Sequence, residues 1–309
     1  MGGRHVKPFL SVYGHVTVDQ IMTVRKFPAV GTTEDVITAT TTLGGTGTNI
    51  ALTAARLGCP TALCAMVGND FPQAYEDEIR ASGMIMDDFR RLEGYDSSKA
   101  IVVNDPSLDQ KVLFYAGPQG EADKTGVMLD SMASQSEHVH FCTGQPSYYM
   151  SIMERIQGAS IAMDPAQETH RIWNADNFPK ALAMADALFC NRIEGESLSR
   201  YVGVKDIFDA DVGLVVCTYG AEGSVARIGD EKVRIPAVNA DRVVDVTGAG
   251  DSYRAGYYAA LYRGYDAPEA LVVAAAVASF TVEKIGALTN TPTWDAALER
   301  AEPYFKEIS

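Results

Sequence analysis

The chain has 309 residues, 47% of them hydrophobic, which is enough for one large α/β domain or two ordinary ones with a substantial core. Its formal net charge of −14 argues against a nucleic acid or an anionic membrane surface as partner, because both would repel an acidic protein. ATP is not excluded, since backbone amides and Mg²⁺ can neutralise phosphates locally.

The start of the chain does not have the pattern of a secretion leader. Met1–Lys7 is short and polar, and the most apolar stretch, Ala267–Val282, is interrupted and falls short of the ~20 residues that a membrane span needs. Five cysteines are scattered along the chain, and Cys59 and Cys64 are close enough in sequence to pair or to share a metal. We expect buried free thiols in a cytoplasmic protein, since no histidine cluster supports a metal site.

A first buried strand is predicted over Phe9–Tyr13, and Gly14 ends it. Asp19 comes shortly after that strand end. Ligands of open parallel sheets lie at the carboxyl ends of the strands, so Asp19 is a candidate for binding a hydroxyl group. An acid in a surface loop is the alternative that these residues leave open.

Two segments do not fit the strands of a doubly wound sheet. The first, about 16–43, contains Pro28 and Gly31 and is dense in threonine between positions 38 and 42. The second, about 97–119, has two short strand patterns around a turn at Asp105–Pro106. Alternating β-branched and polar residues are typical of strands partly open to solvent. We therefore expect these two segments to form a small separate sheet.

Residues 44–49 read Gly-Gly-Thr-Gly-Thr-Asn and open an amphipathic helix that Gly58 and Pro60 end. A glycine at position 45 would let the backbone come close to a ligand. Asn49 can both donate to and accept from hydroxyl groups. A flexible helix entry without a ligand is the alternative reading of this segment.

Two predicted strands, 137–142 and 160–164, end in polar turns. The second turn carries Gln167, whose amide could contact a substrate or a phosphate, or could belong to a plain turn. His138 and His140 are two residues apart and would share one face of their strand. We expect them at the strand-end surface rather than on a metal ion, because no third ligand is apparent.

Two later strand ends carry residues suited to a nucleotide. Asn191 and Glu194 follow a short buried strand and could face one ligand, and they could equally form a helix N-cap with its capping box. Small residues follow the strongest parallel-strand pattern, 213–218, and would let a flat base approach the backbone. They are Thr218, Gly220 and Gly223.

The most informative stretch is Asp245–Tyr257, which reads Asp-Val-Thr-Gly-Ala-Gly-Asp-Ser-Tyr-Arg-Ala-Gly-Tyr. A short apolar run precedes it and a helical pattern follows, so the layout is strand, glycine turn, helix. The first amides of a helix are unpaired and partly positive, and Gly248, Ala249 and Gly250 leave them open to a phosphate. Asp251 fits a base that takes a proton from an attacking hydroxyl. A tight turn with a capping acid is the alternative for an isolated glycine motif.

This stretch resembles the second sequence motif of the ribokinase/PfkB family of carbohydrate and nucleoside kinases, with Val246 where that family usually has Thr. Residues 44–49 resemble the first motif of the family, with Thr46 where ribokinases commonly have Lys. The turns at 143–146 and 164–167 are similar to segments of archaeal PfkB-type nucleoside kinases.

The resemblance covers about residues 9–300 and implies a doubly wound α/β/α sandwich, with 1–309 as a single catalytic domain. In that family the segments corresponding to 16–43 and 97–119 form a β lid, which is often also a homodimer surface. The activity it implies is ATP-dependent phosphorylation of a hydroxymethyl group on a nucleoside or sugar. Mg²⁺ assists in the family, and the loop near 286–287 sometimes holds K⁺.

The resemblance also assigns roles to the residues singled out above. Asp251 is the general base, and the amides of Gly248, Ala249 and Gly250 stabilise the transferred phosphoryl group. The acceptor would be bound by Asp19, Gly45, Asn49 and Gln167. ATP would be bound by Asn191, Thr218, Gly220 and Gly223, while Glu194 orders Mg²⁺ through water.

A nucleoside is the preferred acceptor, because of the turns at 143–146 and 164–167 and the absence of Lys at position 46. Ribose is the next alternative. Fructose 6-phosphate is third, since its phosphate needs cations, for which Arg25, Lys26 and Lys99 are candidates. A non-catalytic sugar or nucleotide sensor is the alternative from another class. Loss of the base or of the glycine turn would indicate it, and both are present.

Overall fold

The computed structural model describes residues 7–106 and 110–308. Most of the polar start of the chain and the tip of the 97–119 segment, residues 107–109, lie outside this range. Within it there are thirteen strands, namely β1 (Leu10–Tyr13), β2 (Thr17–Val24), β3 (Val36–Gly44), β4 (Thr61–Gly68), β5 (Phe89–Leu92), β6 (Ser98–Asn104), β7 (Gln110–Tyr115), β8 (His138–Phe141), β9 (Ser160–Met163), β10 (Ala187–Asn191), β11 (Leu214–Thr218), β12 (Ser224–Ile228) and β13 (Glu231–Ile235).

The same range contains nine α-helices and several short 3₁₀ turns. The helices are α1 (Thr46–Arg56), α2 (Gln73–Ala81), α3 (Gly117–Gly120), α4 (Pro146–Met153), α5 (Phe178–Leu182), α6 (Arg192–Val202), α7 (Ala249–Leu261), α8 (Ala267–Thr281) and α9 (Trp294–Ala301). No helix among the described residues is both long and apolar enough to cross a lipid bilayer.

Nine strands form the main sheet in the order β13-β12-β11-β10-β9-β8-β1-β4-β5. The strands from β11 to β5 are parallel, and β12 and β13 add an antiparallel hairpin at one edge. The chain places β4 and β5 on one side of β1 and places β8 to β11 on the other. The order therefore reverses between β1 and β8, which is where open α/β sheets bind their ligands.

Helices cover both faces of the main sheet, because side chains alternate along its buried strands. Val12 of β1 packs into one apolar core together with residues of α1, α7, α8 and α9. Tyr13, the next residue, packs into a second core with residues of α4, α5 and α6. The predicted doubly wound α/β/α fold is confirmed. All five cysteines are buried free thiols.

Four strands form the second sheet, in the order β3-β2-β6-β7. Strand β2 pairs antiparallel with β3 and parallel with β6, while β6 and β7 form an antiparallel pair. An ion pair of 2.6 Å between Lys99 of β6 and Asp70 ties this sheet to the loop after β4. Asp70 also accepts a hydrogen bond of 2.6 Å from the Ser97 amide, so two residues, Ser97 and Lys99, hold the junction between the sheets.

Gly256 lies where α7 packs against α8, and a Cβ atom there would lie 2.9 Å from the Ala274 Cα and 3.0 Å from the Val277 Cβ. Alanine normally stabilises a helix interior by ~1 kcal/mol relative to glycine. We expect the opposite sign for Gly256→Ala, a loss of about 1–3 kcal/mol, because two packed helices must separate. Urea unfolding of the variant measures the effect. A gain in stability would contradict the close helix contact.

Candidate active site

A cleft of about 420 Å³ opens where the strand order of the main sheet reverses, and its floor includes the start of α7. That volume is within the range of small-molecule sites, roughly 300–1,000 Å³. Seven of the residues predicted from the sequence line it, namely Asp19, Gly45, Asn49, Gln167, Gly248, Gly250 and Asp251. Residues far apart in the chain, such as Asp19 and Asp251, therefore meet at one edge of the sheet.

The turn before α7 requires glycine at its last position. Gly248 has φ +75°, a left-handed conformation, and a Cβ there would lie 2.2 Å from the Cβ of Ala287. The Asp245 carboxylate accepts hydrogen bonds from the amides of Thr247 at 2.9 Å and Gly286 at 2.8 Å. Asp245 thus joins the turn before α7 to the loop after α8.

The three amides of the glycine turn are not equivalent. The Ala249 amide donates a hydrogen bond of 3.2 Å to the Val246 carbonyl. The amides of Gly248 and Gly250 have no acceptor among the described residues, and both glycines line the cleft. The positive end of the α7 dipole therefore faces the cleft with free donors on either side of Ala249.

Asp251 is half-buried in the first turn of α7, and its Oδ2 accepts a hydrogen bond of 2.8 Å from Asn49 Nδ2. Burial raises the pKa of Asp251 to about 7, although the Asn49 hydrogen bond and the positive charge of Arg254 act to lower it. A carboxylate with a pKa near neutrality is well matched to accepting a hydroxyl proton.

Two consecutive glycines, Gly44 and Gly45, make room for the Asp19 carboxylate and for the His15 backbone. A Cβ on Gly44 would lie 2.1 Å from Asp19 Oδ2, and one on Gly45 would lie 2.2 Å from the His15 carbonyl oxygen. Thr17 Oγ1 donates a hydrogen bond of 2.5 Å to Asp19 Oδ1. Burial raises the pKa of Asp19 above its ordinary value, despite this hydrogen bond. The other oxygen of Asp19 is available to a ligand hydroxyl.

No role was predicted for three further residues of the cleft wall, which are His15, Thr46 and Thr143. The hydroxyl groups of Thr46 and Thr143 are hydrogen-bonded to each other, and the His15 amide donates to Thr143 Oγ1 at 3.3 Å. Where ribokinases commonly carry Lys, this chain therefore places a short uncharged side chain that is already paired inside the protein. Thr in place of the usual Lys at position 46 was the one sequence feature that pointed to this part of the site.

The far wall of the cleft combines an aromatic ring with a charged pair. Phe114 of β7 packs edge-on against the ring of His15, with centroids 5.1 Å apart, and Arg171 lies 5.4 Å from the Phe114 centroid. Arg171 also pairs with Glu168, which is 2% exposed and follows Gln167 directly. Phe114 and Arg171 meet only through tertiary contacts, so no local pattern marked either of them.

The residues predicted to bind ATP lie at neighbouring strand ends, outside this cleft. Asn191 of β10 is paired in register with Thr218 of β11. Asn191 Oδ1 accepts from the Glu194 amide at 2.9 Å, and Glu194 Oε2 accepts from the Asn191 amide at 2.8 Å, which is a complete capping box. The predicted helix N-cap with its capping box is therefore confirmed as the structural role of these two residues.

Gly220 and Gly223 belong to a tight turn after β11. Both have positive φ angles, +61° and +86°, and the Gly223 carbonyl accepts from the Tyr219 amide at 2.8 Å. A Cβ on Gly223 would lie 2.3 Å from the Ile235 carbonyl oxygen, so the turn packs closely against the end of β13. Chain geometry alone accounts for glycine at both positions.

A second groove of about 410 Å³ lies between the segment before α7 and the loop after α8. The Val244 amide donates to the Val282 carbonyl at 2.8 Å, so the same two segments are hydrogen-bonded beneath it. Only the neighbouring loop at 286–287 was predicted to have a role in this region. The residues lining the groove are Arg242, Val244, Glu283, Lys284, Ile285 and Thr289.

His140 is not at the strand-end surface, and that expectation was wrong. It is fully buried, its Nδ1 lies 2.9 Å from the Tyr258 hydroxyl, and its Nε2 lies 3.4 Å from Asp164 Oδ2. His138 is half-buried, and its ring packs against Phe9 and Tyr258, so the two histidines do share one face. Among the described residues no group of three or more His, Cys, Asp or Glu side chains could hold a metal ion by itself.

The chain is similar to two archaeal nucleoside kinases over nearly its whole length. It is 32% identical to that of Methanocaldococcus jannaschii over 307 residues, which are 98% of this chain and 99% of that protein. It is 33% identical to that of Methanothermobacter thermautotrophicus over 296 residues, which are 94% of each. Both relatives are described as nucleoside kinases.

Two solved structures resemble this one closely. The crystal structure of the M. jannaschii nucleoside kinase, an archaeal member of the ribokinase family, has a TM-score of 0.89 at 31% identity and covers 96% of this chain and 99% of that one. The structure of a Burkholderia thailandensis nucleoside kinase in complex with inosine has a TM-score of 0.84 at 22% identity, over 96% and 98% of the two chains. At that identity the second structure supports the fold alone.

The sequence pattern of the pfkB family of carbohydrate kinases matches residues 7–294. That range includes both sheets, the cleft between them and the start of α7. The chain therefore belongs to the pfkB family of carbohydrate kinases and is a phosphotransferase that uses an alcohol group as acceptor.

Proposed function

We propose that this protein transfers the γ-phosphoryl group of ATP to the hydroxymethyl group of a nucleoside. The observation that carries the proposal is the position of Asp251. Its carboxylate lies in the cleft beside the free amides of Gly248 and Gly250 and is held by Asn49 at 2.8 Å. A base and an anion site next to each other are what in-line phosphoryl transfer to a hydroxyl group requires.

In the proposed reaction Asp251 accepts the proton of the acceptor hydroxyl as its oxygen attacks the γ-phosphorus. The amides of Gly248 and Gly250 stabilise the negative charge on the transferred phosphoryl oxygens. Ala249 separates these two donors and starts the helix whose dipole adds to the same potential. Asp19, Gly45, Asn49 and Gln167 bind the acceptor.

The nucleotide is proposed to bind along the strand ends that carry Asn191 and Thr218 and the turn of Gly220 and Gly223. Glu194 fits a role in ordering Mg²⁺ through water, because its side chain is buried and its Oε1 accepts no hydrogen bond from a described residue. When bound, Mg²⁺ neutralises phosphate charge. K⁺ is proposed for the loop at 286–287, and turnover in K⁺ compared with Na⁺ buffer tests it.

The nucleoside is proposed over a free sugar on two grounds. Relatives that are 32% and 33% identical to this chain are nucleoside kinases. In addition, Phe114 presents an aromatic ring to the cleft, which suits the flat face of a base better than a small sugar.

A sugar phosphate is the second candidate, and Arg171 is the observation that favours it. Arg171 lines the cleft, and about 47% of its side chain is exposed, although Glu168 already pairs with it. Of the three cations considered from the sequence, Lys99 is engaged by Asp70 at 2.6 Å. The phosphate of such a substrate would have to compete with Glu168 for Arg171.

The test is a panel of acceptors incubated with the purified protein, ATP and Mg²⁺, with ADP release as the readout. Inosine, adenosine and cytidine are compared with ribose, ribose 1-phosphate and fructose 6-phosphate. We expect kcat/KM for at least one nucleoside to exceed that for ribose by about 100-fold, since a buried base adds roughly 3 kcal/mol of interaction. Higher kcat/KM on a sugar phosphate would favour the second candidate, and binding without turnover of any acceptor would favour a sensor.

The second sheet is proposed as a lid over the acceptor and as a homodimer surface. Strand β7 presents a row of exposed apolar side chains, among them Leu113 at 68% and Val112 at 51% exposure. The molar mass of the protein in solution tests this proposal. A cytoplasmic location is part of the same proposal and is supported by the five free thiols.

Asp19→Ala is expected to raise KM for the acceptor by about 10- to 100-fold, because a hydrogen bond to a charged group contributes about 1.5–3 kcal/mol. The kcat should change less than fivefold, since Asp19 does not contact the reacting oxygen in the proposed arrangement. Steady-state kinetics at saturating ATP measure both constants. Asp35→Ala, an exposed acid in the same segment, is the matched control. An unchanged KM in the Asp19 variant would remove Asp19 from the acceptor site.

A further inference from the structure

A buried arginine lies directly beneath the proposed catalytic turn. Arg254, which is 5% exposed, donates from Nε to Asp164 Oδ2 at 2.8 Å and from its Nη2 to Asp164 Oδ1 at 3.3 Å. Its Nη1 donates to the Gly250 carbonyl at 3.2 Å. The guanidinium therefore bridges a carboxylate after β9 and the backbone of the first turn of α7.

The carboxylate partner is itself fixed by the main sheet. Asp164 is 2% exposed and follows the last residue of β9. His140 of β8 lies 3.4 Å from Asp164 and is held from its other ring nitrogen by the Tyr258 hydroxyl at 2.9 Å. Burial alone would raise the pKa of Asp164, but Arg254 and His140 together hold it below its ordinary value, so Asp164 is ionised.

A buried ion pair is a poor source of net stability, because removing two charges from water costs several kcal/mol per ion. The geometry indicates another use. The Gly250 carbonyl and the Asp251 amide belong to one planar peptide group, so a hydrogen bond to that carbonyl fixes the orientation of the plane that carries Asp251. Arg254 Nη1 reaches the carbonyl while Nε and Nη2 of the same guanidinium are held by Asp164.

We propose that Arg254 and Asp164 are positioning residues for Asp251, and that they hold the first turn of α7 and its carboxylate in place against the strand ends. This inference rests on the proposed function, in which Asp251 is the base. Neither residue lines the cleft, so their effect on catalysis is transmitted through the backbone of Gly250 and through charge.

The charges around Asp251 give this arrangement a measurable signature. Asn49 faces the carboxylate from α1, Arg254 from α7 itself, Asp164 from the end of β9 and Glu194 from α6. Asn49 and Arg254 lower the pKa of Asp251, while Asp164 and Glu194 raise it. Removing Arg254 and removing Asp164 should therefore move the ionisation of Asp251 in opposite directions.

The test compares Arg254→Met, Asp164→Asn and the double variant R254M/D164N in the intact chain. The readouts are kcat, both KM values and the pH profile of kcat/KM. We expect the acid limb of the profile to move to higher pH in Arg254→Met and to lower pH in Asp164→Asn. In the double variant the two charge effects oppose each other, yet kcat stays at least tenfold below that of the unsubstituted protein, because the Gly250 carbonyl has lost its side-chain donor. Arg80→Met, which removes an exposed cation on α2, is the control.

The inference would be overturned if the acid limb moved in neither single variant and kcat stayed within twofold while only the melting temperature fell. Arg254 and Asp164 would then only stabilise the fold. Arg254→Met leaves Asp164 buried without a partner. If that variant does not fold, Asp164→Asn and the charge-neutral double variant decide the question by the same readouts. Absence of ADP release by the unsubstituted protein with every acceptor would refute the proposed function instead.

Discussion

Asp251→Asn is expected to lower kcat by about 10²- to 10⁴-fold, the usual contribution of a positioned general base. Asparagine keeps the shape of the side chain and can still accept the 2.8 Å hydrogen bond from Asn49, but it cannot take the hydroxyl proton. The loss should appear in kcat rather than in nucleotide affinity, because the free amides of Gly248 and Gly250 remain.

Single-turnover phosphorylation and a separate measurement of ATP binding distinguish these two effects. Asp295→Asn makes the same chemical change at an exposed position on α9 and should leave both quantities unchanged. Turnover of Asp251→Asn at the rate of the unsubstituted protein would remove Asp251 as the base. Loss of both ATP binding and turnover would indicate a collapsed glycine turn instead.

The same variant should be more stable than the unsubstituted protein, by an amount that depends on pH. The pKa of Asp251 is raised from 3.8 in the unfolded chain to about 7 in the fold, so ionisation of the buried group opposes folding. The penalty is absent below about pH 4 and complete above about pH 7, where it is on the order of 1–3 kcal/mol after allowance for the open cleft. Melting temperatures at pH 8 and pH 4 measure it, and only the former should rise.

The main features of the fold could be predicted because they follow from local patterns. Apolar runs of strand length alternate with helical patterns and predict a doubly wound sheet, and the β-branched segments at 16–43 and 97–119 read as separate strands. His140 was placed wrongly because its burial depends on Tyr258, 118 residues further along the chain. A histidine two residues from the end of a strand gives no local sign of such a partner.

The candidate site was predictable to a similar extent. Asp251 and Asn49 are 202 positions apart, yet each lies in the first turn of a helix that starts at the same edge of the sheet, and both belong to glycine-rich motifs. Arg254 and Arg171 carried no such mark, since a single arginine in a helix or turn usually lies at the surface. The hydrogen bond from the Ala249 amide to the Val246 carbonyl also depends on the geometry of the turn, which no residue type specifies.

Gly248→Ala is expected to lower kcat by about 10²- to 10³-fold, comparable to the loss of a donor from an oxyanion hole. Two physical effects act together at this position. A non-glycine residue with left-handed backbone costs about 1–2 kcal/mol, and the new Cβ would lie 2.2 Å from the Ala287 Cβ and 2.9 Å from the Ala287 Cα. Either the turn or the loop after α8 must move, and the amides of Gly248 and Gly250 move with the turn.

Gly264→Ala separates the two effects, because Gly264 has φ +87° near the other end of α7 and no atom within 4 Å of its Cβ position. It should lose stability by about 1–2 kcal/mol while kcat stays within twofold. Ala287→Gly, added to Gly248→Ala, removes the nearer of the two contacts and should restore part of kcat but not the lost stability. Equal kcat in Gly248→Ala and Gly264→Ala would mean that the turn tolerates displacement. The free amides at 248 and 250 would then contribute nothing that depends on their position.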